Sequence, residues 1–314
     1  MVFKKKDYTL LTGGLGNQLF QYSFLLGQGK KKKSLITKWG RPRLNSDGNP
    51  ELLSFKIDAS VSVCNPIFDT LIVRKVIGYL LRSGFAPKSW ERPRFLRILN
   101  LFGSAVVSLH LGKIIRIRSH PTLGYHPVEK QKFTTLHVGY FQSFYWSESP
   151  IVYKMLMELD IENGPALNVL TSQAKLESPV VIHFRFGDYL VEDFGIPGID
   201  YYEKAIEMIR SFSKEDRNFW IFSDDISMAR DKIKNLNLKN TKFFSSNDFT
   251  TAESFQIMRL GHDYVIANST FSWWAAFLSY NKGGTVVCPE PWFKNGSNPE
   301  KLIPDNWLRL PANY

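Results

Sequence analysis

Cysteine is nearly absent from this chain. Cys64 and Cys288 are the only two, far apart and without metal-ligand spacing, so neither a disulfide framework nor a thiolate zinc site is expected, and a reducing compartment fits. No run of about 18 apolar residues stands out, and the opening Met1 to Asp7 leads to a glycine loop without the apolar core of a signal peptide. The expectation is a chain that is neither secreted nor membrane-spanning. The triplet Asp-x-Asp, an acidic spacing suited to a metal-bound nucleotide, does not occur, and there is no internal repeat. Acidic residues are also scarce in one long stretch. Between Leu71 and Arg118, Glu91 alone faces Arg74, Lys75, Arg82, Lys88, Arg92, Arg94, Arg97, Lys113, Arg116 and Arg118, which accounts for most of the net charge of +11. Interleaved with Leu, Ile, Val, Phe and Trp90, this segment suits an anionic membrane surface or nucleic acid; an ordinary solvated basic face is the plainer reading, and both stay open.

What is present is a balanced globular composition. With 44% hydrophobic and 22% charged residues over 314 positions, the chain is long enough for two domains, each with its own core. From Val180 onward, short β-rich runs alternate with helix-like stretches: strands at Val180 to Arg185, Phe219 to Phe222, Thr241 to Phe244, Tyr264 to Ala267 and Thr285 to Cys288, with helices between them. This order predicts a doubly wound α/β unit with a mostly parallel sheet. Thr250, with Glu253 three residues on, has the form of a capping box. The N-terminal half opens in the same style, with a strand from Tyr8 to Thr12, a glycine loop and a helix from Asn17 to Gly27, but becomes hard to read after Lys30. Breakers at Asn163-Gly164-Pro165 and Ser178-Pro179 place a boundary between about 150 and 175, and the expected domains are 1–160 and 161–314.

In open α/β sheets ligands bind beyond the carboxyl ends of the strands. Three such loops carry function-like groups: His183-Phe-Arg185-Phe-Gly187-Asp188-Tyr189, Ser223-Asp224-Asp225, and Asn268-Ser269-Thr270-Phe271-Ser272. The last places hydroxyls at a helix start, where unpaired N–H groups favour an anion such as a phosphate, although a simple serine N-cap explains the same residues. Arg185 ends an apolar strand, where its planar fork suits phosphate or, structurally, a pair with Asp188. His183 reads either as a core histidine or as a nucleotide contact. Asp224-Asp225 reads as an N-cap or as an acceptor for the adjacent N–H donors of a guanine, and not as a metal site. The loop Gly13-Gly14-Leu15-Gly16-Asn17-Gln18 is a sharp turn, or a loop facing a ligand; it lacks the spacing of a dinucleotide fingerprint.

Taken in order, Gly13-Gly-Leu-Gly-Asn-Gln-Leu-Phe-Gln-Tyr, the His183 to Tyr189 motif, Phe222-Ser-Asp-Asp and Asn268-Ser-Thr-Phe-Ser-Trp-Trp resemble the α-1,2-fucosyltransferases of glycosyltransferase family eleven, over residues 8 to about 292. The resemblance implies a GT-B type α/β fold, two Rossmann-like domains facing across a cleft, with an acceptor-side domain at 1–160 and a GDP-fucose-binding domain at 161–314. It implies a bacterial, cytoplasmic enzyme, peripheral on the inner face of the membrane if residues 71–118 meet anionic lipid. Its reaction would be inverting, metal-independent transfer of fucose from GDP-fucose to the 2-hydroxyl of a galactose on a glycan, lipid-linked or not, without a cofactor or nucleic acid. By the same resemblance, Arg185 holds the GDP phosphates, His183 and Asp225 lie near the guanine, and Ser269, Thr270, Phe271 and Ser272 form the phosphate loop; Asp224 and Asn268, beside them, are further candidate donor contacts. Gly14, Gly16, Asn17 and Gln18 are candidate donor contacts if their loop faces the donor; the acceptor side and a simple sharp turn stay open for it. Arg185 would be catalytic, with Asp188, Glu192 and Asp193 as candidate bases. Phe186 departs from the family pattern, where a second arginine is usual, and this keeps an inactive sugar-nucleotide binder in view. An RNA- or polyanion-binding protein is the third reading, weakened because the aromatics sit mostly at core-like positions.

Overall fold

The computed structural model describes all residues except 1–5, 30–31, 67–68, 84–92, 113, 122, 130–131, 163, 191–193, 213–216, 237 and 282, together with the side chains of 93, 188 and 190. Two compact units are present. The first comprises 1–159 and 299–303, the second 160–298 and 304–314. The return of 299–303 to the first unit is not contained in the expected limits of 161–314. It is tied there by Tyr125 N–H to Glu300 O (3.0 Å), Phe144 N–H to Lys301 O (3.0 Å) and Ser143 Oγ to Lys301 O (2.8 Å).

The first unit contains β1 (Lys6–Leu10), α1 (Leu15–Gly27), β2 (Lys32–Ile36), β3 (Val61–Cys64), α2 (Leu71–Ser83), α3 (Pro93–Leu111), β4 (Arg116–Ser119), β5 (Thr135–Val138) and α4 (Pro150–Met157). Its strands pair in parallel in the order β3-β2-β1-β5-β4. Tyr8, Leu10, Ile36, Leu136 and Val138 from the sheet pack with Val73, Ile77 and Leu80 of α2 and Val107 of α3. The apolar residues of α2 recur at the spacing of one helical face, and burial of that face, more than propensity, holds the helix in place.

The second unit contains α5 (Pro165–Glu177), β6 (Val180–Phe184), α6 (Ile199–Ser211), β7 (Phe219–Ser223), α7 (Ile226–Ile233), β8 (Thr241–Ser245), α8 (Thr251–Met258), β9 (Asp263–Val265), α9 (Thr270–Phe277), β10 (Val286–Glu290) and β11 (Leu308–Pro311). The sheet is parallel in the order β11-β10-β9-β6-β7-β8. Counting this unit's strands from one, that is the Rossmann order 3-2-1-4-5-6, with its direction reversal between β6 and β9. β6 and β7 are buried along their whole length, as parallel strands covered on both faces must be, which is why their sequences are continuous apolar runs. On α6, Tyr201, Tyr202, Ala205, Ile206 and Ile209 form the buried stripe. The single O–H of Tyr201 is shared between Ile266 O (2.7 Å) and Val287 O (3.0 Å), and Tyr202 Oη donates to His183 O (3.1 Å), so this helix clamps the backbone on both sides of the switch point. The expected capping box is formed by Thr250 and Glu253. β11, absent from the sequence-based expectation, adds a sixth strand beyond β10.

Candidate active site

The switch point between β6 and β9 gathers most of the expected residues. Strand alternation after β6 sends Phe184 and Phe186 into the core and His183 and Arg185 to the opposite side. Phe186 is 1% exposed and its ring is parallel to that of Phe184, centroids 5.9 Å apart. The position that departs from the family pattern is therefore an apolar core position in this chain.

Parallel pairing of Phe184 with Ser223 brings the residues that follow each strand side by side. Arg185 Nη1 lies 3.0 Å from Asp224 Oδ2, and Asp224 Oδ1 accepts the Phe186 N–H at 2.9 Å. Asp224 is thus a structural partner of Arg185; the pair with Asp188 that the sequence suggested falls on a side chain outside the described residues. A Cβ on Gly187 would stand 2.6 Å from Asp224 Oδ2, so glycine leaves the carboxylate room beside the guanidinium. Asp225 caps α7, its Oδ1 accepting the Met228 N–H at 2.9 Å, and Ser223 Oγ accepts the Asp225 N–H at 3.0 Å. Of the two aspartates, one holds the arginine and the other starts a helix.

Asn268 to Ser272 enter from the other side of the switch point. Ser269 is the N-cap of α9, and its side chain accepts from the Phe271 N–H at 3.4 Å. Ser272 Oγ donates to Ser269 O at 3.3 Å. Asn268 Nδ2 donates to Phe194 O (3.2 Å) and Gly195 O (3.1 Å), and Asn268 O accepts from Tyr189 Oη at 2.9 Å. Tyr189 also lies beneath the Arg185 guanidinium, 5.8 Å from ring centroid to Cζ. It links the two loops, a role the sequence did not indicate.

His183 is buried, and its Nδ1 has no hydrogen-bond partner among the described residues. The ring lies 6.3 Å from that of Phe271, at the start of α9. Burial, with a smaller contribution from the Arg185 charge, pushes its pKa down to about 3, so the imidazole is neutral at ordinary pH. An unsatisfied buried ring nitrogen beside a cation and a helix N-terminus is suited to a polar ligand with an anionic part. Glu192 and Asp193 lie outside the described residues.

Gly14, Gly16, Asn17 and Gln18 belong to the other unit, where Asn17 and Gln18 make contacts within that unit. The buried Glu51 Oε2 accepts the Leu15 N–H at 2.7 Å, so α1 already has a carboxylate at its start. Gln18 Nε2 donates to Gly13 O (2.8 Å) and Arg43 O (3.0 Å), and its Oε1 accepts from Leu52 N (2.9 Å). Asn17 Oδ1 accepts from Gln142 Nε2 at 2.9 Å. Gly13 has φ +69°, the left-handed turn that glycine permits. The loop is braced by its own unit.

Among known proteins, the chain is 26% identical to the O-antigen biosynthesis glycosyltransferase WbnK of Escherichia coli over 321 residues, covering 96% of this chain and all of that one. It is also 26% identical to an alpha-1,2-colitosyltransferase of Escherichia coli, covering 96% of this chain and 97% of that one. Among solved structures, the fucosyltransferase NodZ from Bradyrhizobium aligns with a TM-score of 0.47 at 10% identity, covering 88% of this chain and 93% of that one. Both units are built on parallel α/β sheets, and the model of the family described as glycosyl transferase family 11 matches residues 117–308, from inside β4 to the start of β11. The chain belongs to glycosyl transferase family 11.

Proposed function

We propose that this glycosyltransferase moves L-fucose from GDP-fucose to the 2-hydroxyl of a terminal galactose on a surface glycan. The observation that carries the reading is the Nδ1 of buried His183, without a hydrogen-bond partner among the described residues, beside Arg185 and the N-terminus of α9, a neutral hydrogen-bonding group and a cation at a Rossmann switch point. A nucleoside diphosphate presents the complementary set. The α-1,2 linkage and the surface-glycan acceptor are supported by the names of the two relatives. In the proposed reaction the acceptor oxygen attacks the anomeric carbon of β-linked fucose as the bond to the GDP oxygen breaks, through an oxocarbenium-like transition state, giving the α-linkage by inversion. Arg185 and the first turn of α9 stabilise the charge that develops on departing GDP. The acceptor proton passes to a carboxylate of Asp188, Glu192 or Asp193. The lack of an Asp-x-Asp triplet supports transfer without a metal.

The test is product formation from GDP-fucose, GDP-mannose and a GDP-linked colitose donor, each with lactose or N-acetyllactosamine and with EDTA present. An α-1,2-fucosylated product formed in EDTA supports the whole reading. Transfer of colitose alone would reassign the donor sugar, GDP binding without transfer to any acceptor would favour an inactive binder, and failure to bind GDP would overturn the site.

A further inference from the structure

Soluble proteins cover the outer face of a surface helix with polar side chains. α3 does not follow this rule. Leu96 and Val107 face inward, while Phe95, Ile98, Leu101, Phe102, Ala105 and Leu109 face outward; Ile98 is 67% exposed, Leu101 71% and Leu109 82%. Leu71, Ile72 and Tyr79 of α2 are also exposed. Although no long apolar run stands out by eye, Arg94–Leu111 has a mean hydropathy of 1.2 and only 22% of it is buried within the protein. Its length and composition would suffice to cross a membrane, but its packing argues for a helix that lies flat. A Cβ on Gly103 would stand 3.1 Å from Ile117 and 3.3 Å from Val76, so the inner face of α3 is fitted to its own sheet and to α2. Spanning would strip that face from the core.

The charge around this apolar face selects its partner. Lys75 and Arg82 of α2 and Arg94 and Arg97 of α3 are exposed, whereas Asp69, at the start of α2, is already held by Arg74. A second copy of the chain meeting this face about a two-fold axis would set these cations against their own equivalents. A bilayer containing anionic lipid offers apolar depth to the leucines and phenylalanines and negative headgroups to the cations. From this complementarity we infer that α2 and α3 form a monotopic docking surface for an anionic membrane, with α3 in the plane of the headgroup boundary. The inference is independent of the donor and acceptor assigned above.

The test is flotation of the purified full chain with vesicles of phosphatidylcholine alone or with roughly one third phosphatidylglycerol. Binding is expected only to the anionic vesicles, weakened but not abolished by high salt. Arg94→Ala with Arg97→Ala should weaken it about 30-fold, each cation near such a surface contributing about fivefold. Ile98→Ser with Leu101→Ser should abolish the salt-resistant part. Both double variants change exposed side chains, so circular dichroism and GDP binding should match wild type. Equal partition onto neutral and anionic vesicles, or unchanged binding by the folded variants, would overturn the inference. So would a wild-type dimer that Ile98→Ser with Leu101→Ser converts to monomer while vesicle binding is absent, because a second copy would then cover the face.

Discussion

Asp224 touches the segment that follows β6 twice: Oδ2 lies 3.0 Å from Arg185 Nη1, and Oδ1 accepts the Phe186 N–H at 2.9 Å. The carboxylate therefore fixes the guanidinium relative to the backbone that carries it, as a positioning group does. Arg185→Ala should lower kcat by about 100-fold or more if the guanidinium stabilises departing GDP. Arg185→Lys, which keeps the charge but loses the planar fork, should recover only part of that loss. Asp224→Asn keeps an acceptor for the Phe186 N–H and should raise KM for the donor more than it lowers kcat. Steady-state kinetics on folded variants decide the matter; wild-type kcat in Arg185→Ala would remove the arginine from the reaction.

Phe186 gives the opposite expectation. Restoring the arginine that is usual in the family should not improve donor binding, because position 186 points into the core beside Phe184. A guanidinium buried there without a partner costs several kcal/mol, so Phe186→Arg should unfold at a markedly lower temperature than wild type, whereas Phe186→Leu should lose about 1–2 kcal/mol and keep its activity. Thermal melts of both variants, with donor titrations on whichever folds, separate the two outcomes. A stable Phe186→Arg protein with tighter GDP binding would mean that the side chain turns toward the site.

The parts of this structure legible in the sequence were those whose physics is local. β6 and β7 are covered on both faces, so Val180 to Phe184 and Phe219 to Phe222 read as unbroken apolar runs, and Thr250 with Glu253 announced a helix start that the structure contains. β11 alternates between partial and full exposure at the sheet edge, and its Leu-Arg-Leu-Pro has no apolar run to see. In the first unit, β2 begins with two lysines and β4 reads Arg-Ile-Arg-Ser, so their strand character depends on the neighbours they pair with. The arginine's partner was hidden for a similar reason. Asp224 is far from Arg185 in sequence, and only the register of β6 with β7 brings it beside the guanidinium. The role of Glu51 at the start of α1 likewise exists only after the chain has folded.

Acid should destabilise the protein through its buried histidines. The pKa of His183 falls from 6.5 to about 3 on burial, and that of His120 falls well below the ordinary value, first by burial and then through His137, Arg118 and His126. Above pH 6.5 both residues are neutral in the folded and unfolded chain, so neither makes stability depend on pH there. As the pH falls below 6.5 the unfolded chain takes up protons that the folded chain refuses, and each histidine removes about 1.4 kcal/mol of stability per pH unit until its folded pKa is reached. Melting temperature measured from pH 8 down to pH 4, the range in which the handling of each proton is decided, should be flat and then fall below about 6.5. His183→Gln should make the fall shallower, and an equally steep fall in that variant would remove His183 as a cause.

Two helix caps in the second unit separate folding from binding. Thr250 Oγ1 accepts the Glu253 N–H at 3.2 Å, and the Glu253 carboxylate accepts the Thr250 N–H at 2.8 Å, at the start of the helix that follows edge strand β8. Ser269 caps α9 at the switch point, beside the residues assigned to the diphosphate. Replacing either hydroxyl by Ala should cost about 1 kcal/mol of stability, since each leaves a first-turn N–H without its side-chain acceptor. Their effects on GDP affinity should differ. In Thr250→Ala the dissociation constant for GDP should equal that of wild type, whereas in Ser269→Ala the first turn of α9 loses order where the phosphate sits, and affinity should drop several-fold. Equal loss of affinity in both variants would trace it to general destabilisation of the unit. Equal retention would mean that α9 only packs its tryptophans and that His183 and Arg185 hold the nucleotide without it.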